Sequence, residues 1–125
     1  MGFETQASWV LPRDMTAASM SRRHVLSTCS ELPEDTRHTA ALLTDEVVVN
    51  ALQHGTGEIA LFITCAPDRI RIEVHDENPE PPVVVEPDRL AESGRGLMLV
   101  EAMARAWGAR PSAPPEPGKR VWFEL

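Results

Sequence analysis

A long helix carrying a polar stripe most constrains what this chain can fold into. Pro33 ends whatever precedes it, Glu34 and Asp35 place acidic charge in a first turn, and Gly55 and Gly57 stop the helix after Gln53 or His54. Residues advance about 100° around an α-helix, so with Glu46 at the origin Asn50 lies about 40° round and His54 about 80°. Leu42 and Val49 flank this stripe on one side, Leu43 and Val47 on the other, so a carboxylate and an amide stand among apolar neighbours. Burying such groups unpaired costs on the order of several kcal/mol. The stripe therefore calls for an internal hydrogen-bond network, a bound ion, or a cavity kept open for a ligand.

The flanking segments predict what the helix packs on. Ala7, Trp9 and Leu11 share one parity and predict a strand from Thr5 to Leu11, after which Asp14 offers a cap to a helix from Met15 to about Glu31. That helix sets Ala18, Val25, Cys29 and Leu32 near one face. Beyond the long helix, Ile59, Leu61 and Ile63 alternate, as do Ile70, Ile72 and Val74, predicting an antiparallel hairpin that turns at Ala66-Pro67-Asp68. Glu77 to Ser93 is rich in proline and acid and reads as a loop. Gly94-Arg95-Gly96 then opens a helix from Leu97 to about Trp107. A proline-rich turn, Pro111 to Gly118, leads to a last strand, Val121 to Leu125, expected to pair near Trp107 to Arg110.

The order of elements predicts an α/β two-layer sandwich: a mixed, mostly antiparallel sheet with three helices on one face. The 125 residues suit a single domain, 1–125. Trp9, Phe62, Trp107, Trp122 and Phe123 are candidates for the core or for a dimer contact. The net charge of -7 argues against a sequence-independent grip on nucleic acid or on an anionic membrane, and suits a basic partner surface or a ligand that brings its own metal ion. There is neither an apolar run long enough to span a bilayer nor a signal-like start, so a cytoplasmic location is expected. In that compartment Cys29 and Cys65 are expected to be separate small core residues. No pair among His24, His38, His54, His75 and the two cysteines has ligand spacing on one element, which argues against a zinc enzyme.

Two further features carry chemistry. Asp76 follows a strand directly, in His75-Asp76-Glu77-Asn78-Pro79, and Gly94-x-Gly96 precedes a helix, where glycines let backbone approach a phosphate and free N–H groups attract it. In order, Asp45-Glu46-Val47-Val48-Val49-Asn50-Ala51-Leu52-Gln53-His54-Gly55 resembles the N box of the GHKL (Bergerat-fold, histidine kinase-like) ATPases. Asp76 falls where the G1 box of that family begins, and Gly94-Arg95-Gly96-Leu97-Met98-Leu99-Val100 resembles its G2 box. The closing Gly118-Lys119-Arg120-Val121-Trp122-Phe123-Glu124-Leu125 is similar to the last strand of the stand-alone bacterial anti-sigma-factor serine/threonine kinases.

The resemblance implies bound Mg-ATP. Asn50 would hold Mg²⁺ through its side-chain oxygen, Asp76 would accept from the adenine amino group, and Gly94, Gly96 and Leu97 would offer N–H groups to the phosphates. His54 and Gly55 complete the N box, Arg95 and Lys119 are candidate phosphate neighbours, and Glu46 would be general base for a Ser or Thr hydroxyl attacking the γ-phosphate. The implied partners are a sigma factor and its antagonist, with homodimerisation a further implication. The alternative is a non-enzymatic module of the same fold that sequesters a partner. Two departures bear on the choice. No glycine follows Asp76 in Glu77-Asn78-Pro79-Glu80, so Glu77 and Glu80 are expected to add negative charge near the triphosphate; and Arg120 stands where the family often has Thr.

Overall fold

The computed structural model describes residues 2–82 and 95–125. Five strands and three helices follow in the order β1 (Thr5–Leu11), α1 (Thr16–Thr28), α2 (Glu34–His54), β2 (Ile59–Ala66), β3 (Arg69–Asp76), α3 (Arg95–Met103), β4 (Ala106–Pro111) and β5 (Lys119–Glu124). The strands form one sheet in the order β1-β2-β3-β5-β4. Among the described residues every pairing is antiparallel, where the sequence suggests a mixed, mostly antiparallel sheet. The connections follow this: β1 and β2 are joined through α1 and α2, β3 and β5 through α3 and β4, and the pairs β2–β3 and β4–β5 are hairpins.

The period-2 pattern puts Leu11, Ile59, Leu61, Ile63, Ile70, Ile72, Val74, Val121 and Phe123 on one face, where they meet Val25 of α1 and Leu43, Val47 and Val48 of α2 in one buried cluster. The opposite face is polar but not bare of aromatics. The guanidinium of Arg71 lies over Trp122 at 4.2 Å and that of Arg120 over Phe62 at 3.9 Å. Glu73 ties Arg71 and Arg110 together at 3.2 Å and 2.6 Å. Of the five candidate aromatics, only Phe123 is fully buried; Trp9 stacks on His24 and Trp107 packs against the core from its rim.

Local chemistry accounts for the element ends. The Asp14 carboxylate accepts the Thr16 N–H at 2.8 Å where α1 starts. Glu34 and Asp35 complement the dipole at the start of α2, and Gly55 caps its end. α3 is shorter than its periodicity predicts, ending at Met103, because Ala106 to Pro111, including Trp107, pair with β5. β5 in turn begins two residues early, at Lys119. Of the expected loop, residues 77–82 form neither helix nor strand, and the rest lies outside the described residues. Cys29 and Cys65, expected as separate thiols, are joined in a disulfide: the end of α1 lies against β2, bringing their Cα atoms to 5.8 Å. No described helix is long and apolar enough to cross a membrane.

Candidate functional site

The C-terminal end of α2 and the C-terminal end of β3 converge, and a short loop locks them together. Helix ends leave backbone carbonyls without partners. Arg13 satisfies three oxygens around this one, donating to the carbonyls of Leu52, Gly55 and Gly57 at 3.1, 3.2 and 3.1 Å. From the other side, the Glu77 N–H donates to Thr56 O at 2.8 Å, and the Glu77 carboxylate accepts the Glu58 N–H. Glu77 thus turns its carboxylate to the loop, and of the two acidic residues expected near the site it is Glu80 that lines the cavity described below. Asn78 completes the lock by donating through Nδ2 to His54 O at 2.9 Å.

Asp76 sits at the centre of this junction, 2 % exposed. Its Oδ1 accepts the Asn78 N–H at 2.8 Å and Lys119 Nζ at 3.1 Å, and Nζ lies 3.1 Å from Oδ2 as well. Lys119 Nζ donates in addition to the Asn78 carbonyl at 2.9 Å. Glycine is required on both sides of the aspartate. A Cβ on Gly55 would stand 2.6 Å from Asp76 Cγ, and one on Gly118, which has φ +96°, would stand 1.9 Å from the Asp76 carbonyl oxygen.

Beside this junction lies a cavity of about 250 Å³ lined by Asn50, His54, Lys119, Asn78, Glu80, Pro81 and Pro82. Three residues singled out from sequence therefore meet there: Asn50, His54 and Lys119. Gly55 and Asp76 lie beneath, and Glu46 stands one helical turn before Asn50, half-buried and outside the lining. Burial first, and the neighbouring Asp45 carboxylate second, raise the pKa of Glu46. Asp45 itself pairs with Arg22 of α1. The stripe is less enclosed than its helical angles suggest: Leu43 and Val47 are buried, but Leu42 is 42 % exposed, so Glu46 and Asn50 run along the border between core and surface.

The phosphate segment is described only from its helix onward. Gly94 lies outside the described residues, whereas Arg95 and Gly96 open α3 and Leu97 buries its side chain in the core. Arg120 does not line this cavity. Strand parity turns it to the outer face over Phe62, and the inward position next to the site belongs to Lys119, in step with Val121 and Phe123. Sequence reasoning missed Arg13, which no local pattern marks, and the lining residues Asn78, Pro81 and Pro82; the Asp-x-Asn-Pro turn after β3 is the signal that could have found Asn78.

One lining residue, Asn50, has donor chemistry that would suit the magnesium ion of a bound nucleotide. The Asn50 side chain faces the cavity and makes no hydrogen bond among the described residues, leaving its amide oxygen for a hard cation. Asn50→Ala is expected to abolish the Mg²⁺ dependence of nucleotide binding and to weaken it about tenfold, measured by calorimetry with and without Mg²⁺.

An antiparallel sheet backed by three helices, with a cavity at the end of the longest helix beside a buried strand-end aspartate, defines an α+β domain of the GHKL ATPase class. The chain belongs to the histidine kinase-like ATPase domain family, whose profile matches residues 9–123, and this membership implies ATP binding. No curated protein matches the chain.

Proposed function

We propose that this protein is an ATP-dependent serine/threonine kinase of the anti-sigma type, which binds a sigma factor and transfers the γ-phosphoryl group of ATP to a hydroxyl on an antagonist protein. The observation that carries this reading is Glu46. It stands one turn before the cavity-lining Asn50 and has no ion-pair partner among the described residues, while the adjacent Asp45 is held by Arg22. Bound Mg-ATP supplies the phosphoryl group, and the metal neutralises charge on its oxygens. Asn50 would hold that metal, and Glu46 accepts the proton of the attacking hydroxyl as its oxygen bonds to the γ-phosphorus and ADP leaves. The net charge of -7 suits a basic partner surface.

Glu46→Gln is expected to lower phosphotransfer by at least about a hundredfold while leaving Mg-ATP binding within about twofold, since a general base contributes roughly 10²–10⁴-fold to rate. Transfer of label from γ-labelled ATP to the antagonist measures it; full activity in the variant would sink the assignment. The pH profile gives a second reading. Only the carboxylate form of Glu46 accepts a proton, so the rate falls as pH drops through a pKa raised by burial. The acid limb is expected above the ordinary glutamate value.

One observation favours a second reading, a partner-binding module without turnover: the Asp76 carboxylate is already engaged by Lys119. If Glu46→Gln and the native protein bind the sigma factor equally and neither transfers phosphate, that reading takes precedence.

A further inference from the structure

We propose that Lys119 is a built-in competitor for the nucleotide base, so that ATP enters only by displacing its ammonium from Asp76. This inference rests on the reading of the cavity as an ATP site. A base amino group is a hydrogen-bond donor and needs a carboxylate oxygen with an accessible lone pair. Here both Asp76 oxygens lie 3.1 Å from Lys119 Nζ, and Oδ1 also accepts the Asn78 N–H. The carboxylate is shut from solvent by this arrangement, at 2 % exposure, while Lys119 is the member of the pair that lines the cavity. A ligand arriving from the cavity meets an ammonium, which repels a base amino group.

Which partner moves is decided by the packing around the pair. Asp76 is closely held: Gly55 packs against its side chain, where a Cβ would stand 2.6 Å from Asp76 Cγ, and Gly118 packs against its main chain. Its neighbour Asn78 is tied to the His54 carbonyl and to Lys119 Nζ. Lys119 has a four-carbon stem with many rotamers, rooted on the inward side of β5. Its ammonium therefore leaves, and the cavity offers it anionic partners in the Glu80 carboxylate and in the phosphates of the incoming ligand. The exchange keeps both groups hydrogen-bonded: the base amine, a neutral donor, takes the place of the ammonium at Asp76, and anionic oxygen takes the place of Asp76 at the ammonium. Lys119 thus lowers the fraction of molecules ready to accept a base, and apparent affinity falls with that fraction.

The test is calorimetry of the full chain with Mg-ATP and with magnesium tripolyphosphate, which has no base. Lys119→Met removes the ammonium but leaves Asp76 buried without a counter-charge; Lys119→Gln keeps a neutral donor to Asp76 and covers the case in which the first variant does not fold. Folded Lys119→Met is expected to bind Mg-ATP roughly tenfold more tightly than the native protein, and Lys119→Gln, whose neutral donor competes more weakly than an ammonium, more tightly than native by a smaller factor, with tripolyphosphate unchanged or weaker in both. Unchanged or weaker Mg-ATP binding in the folded variants, beside clear binding by the native chain, overturns the proposal, because the ammonium then does not hold the base out. Equal tightening for both ligands overturns it too, because the effect would not be on the base. If neither the folded native chain nor any variant binds Mg-ATP, the ATP-site reading itself fails, which is a separate result.

Discussion

Asp76→Asn is expected to abolish measurable Mg-ATP binding and, independently, to destabilise the fold. The two effects have different causes. Loss of a charge-assisted hydrogen bond to the base removes about 3 kcal/mol, or about two orders of magnitude in Kd. The stability loss arises because Lys119, 5 % exposed, keeps its ammonium but loses its counter-charge. Breaking one partner of a buried ion pair costs about 3–5 kcal/mol. The double variant Asp76→Asn with Lys119→Met separates them, since two uncharged side chains strand nothing. Urea unfolding should show most of the stability restored, while calorimetry should show binding still absent. A double variant as unstable as Asp76→Asn alone would mean that the pair is not what holds this corner of the sheet. Such strong coupling is expected only between residues in direct contact.

How much of this was legible in the sequence differs between fold and site. Strand parity and the helix boundaries at Pro33 and Gly55 read correctly because each depends on a repeating local signal: side chains alternate across a pleat, and a glycine follows the last helical turn. The end of α3 did not, since Trp107 fits a continuing helix locally and only the pairing of Ala106–Pro111 with β5 overrides it. The disulfide between Cys29 and Cys65 was likewise hidden, because a separation of 36 residues says nothing of how α1 lies on β2. In the site, Asn50, His54 and Lys119 meet as a cavity lining, but the partner of Asp76 was out of reach of motif reading. A strand start at Val121 places Lys119 between the turn and the strand, with no face assigned to it. Beginning it at Lys119 puts a lysine on the same inward parity as Val121 and Phe123, and a lysine there demands a buried anion. Arg120 shows the converse: one step along the same strand carries it to the opposite face.

The inward parity of β5 also sets the largest purely structural effect. Phe123 is fully buried, and its cross-strand neighbours are Ile72 on β3 and Trp107 on β4, so it fills the sheet where the last three strands meet the helices. Phe123→Ala is expected to cost about 3–5 kcal/mol, the transfer term plus a cavity that a rigid sheet cannot collapse to fill. In a chain of 125 residues this lowers Tm by on the order of 10 °C or more. Phe123→Leu, which keeps most of the volume, is expected to lose less than half as much. Phe123 sits four residues beyond Lys119 on the same strand, so these variants also test whether β5 merely carries the site or tunes it. Well below its Tm, Phe123→Ala should bind Mg-ATP as the native protein does, because the Asp76–Lys119 contact is anchored by Gly118 and Asn78 and not by the core beneath Phe123. Weakened binding by a fully folded Phe123→Ala protein would show instead that small displacements of β5 reach Lys119, and that the ion pair is set by strand position as well as by charge.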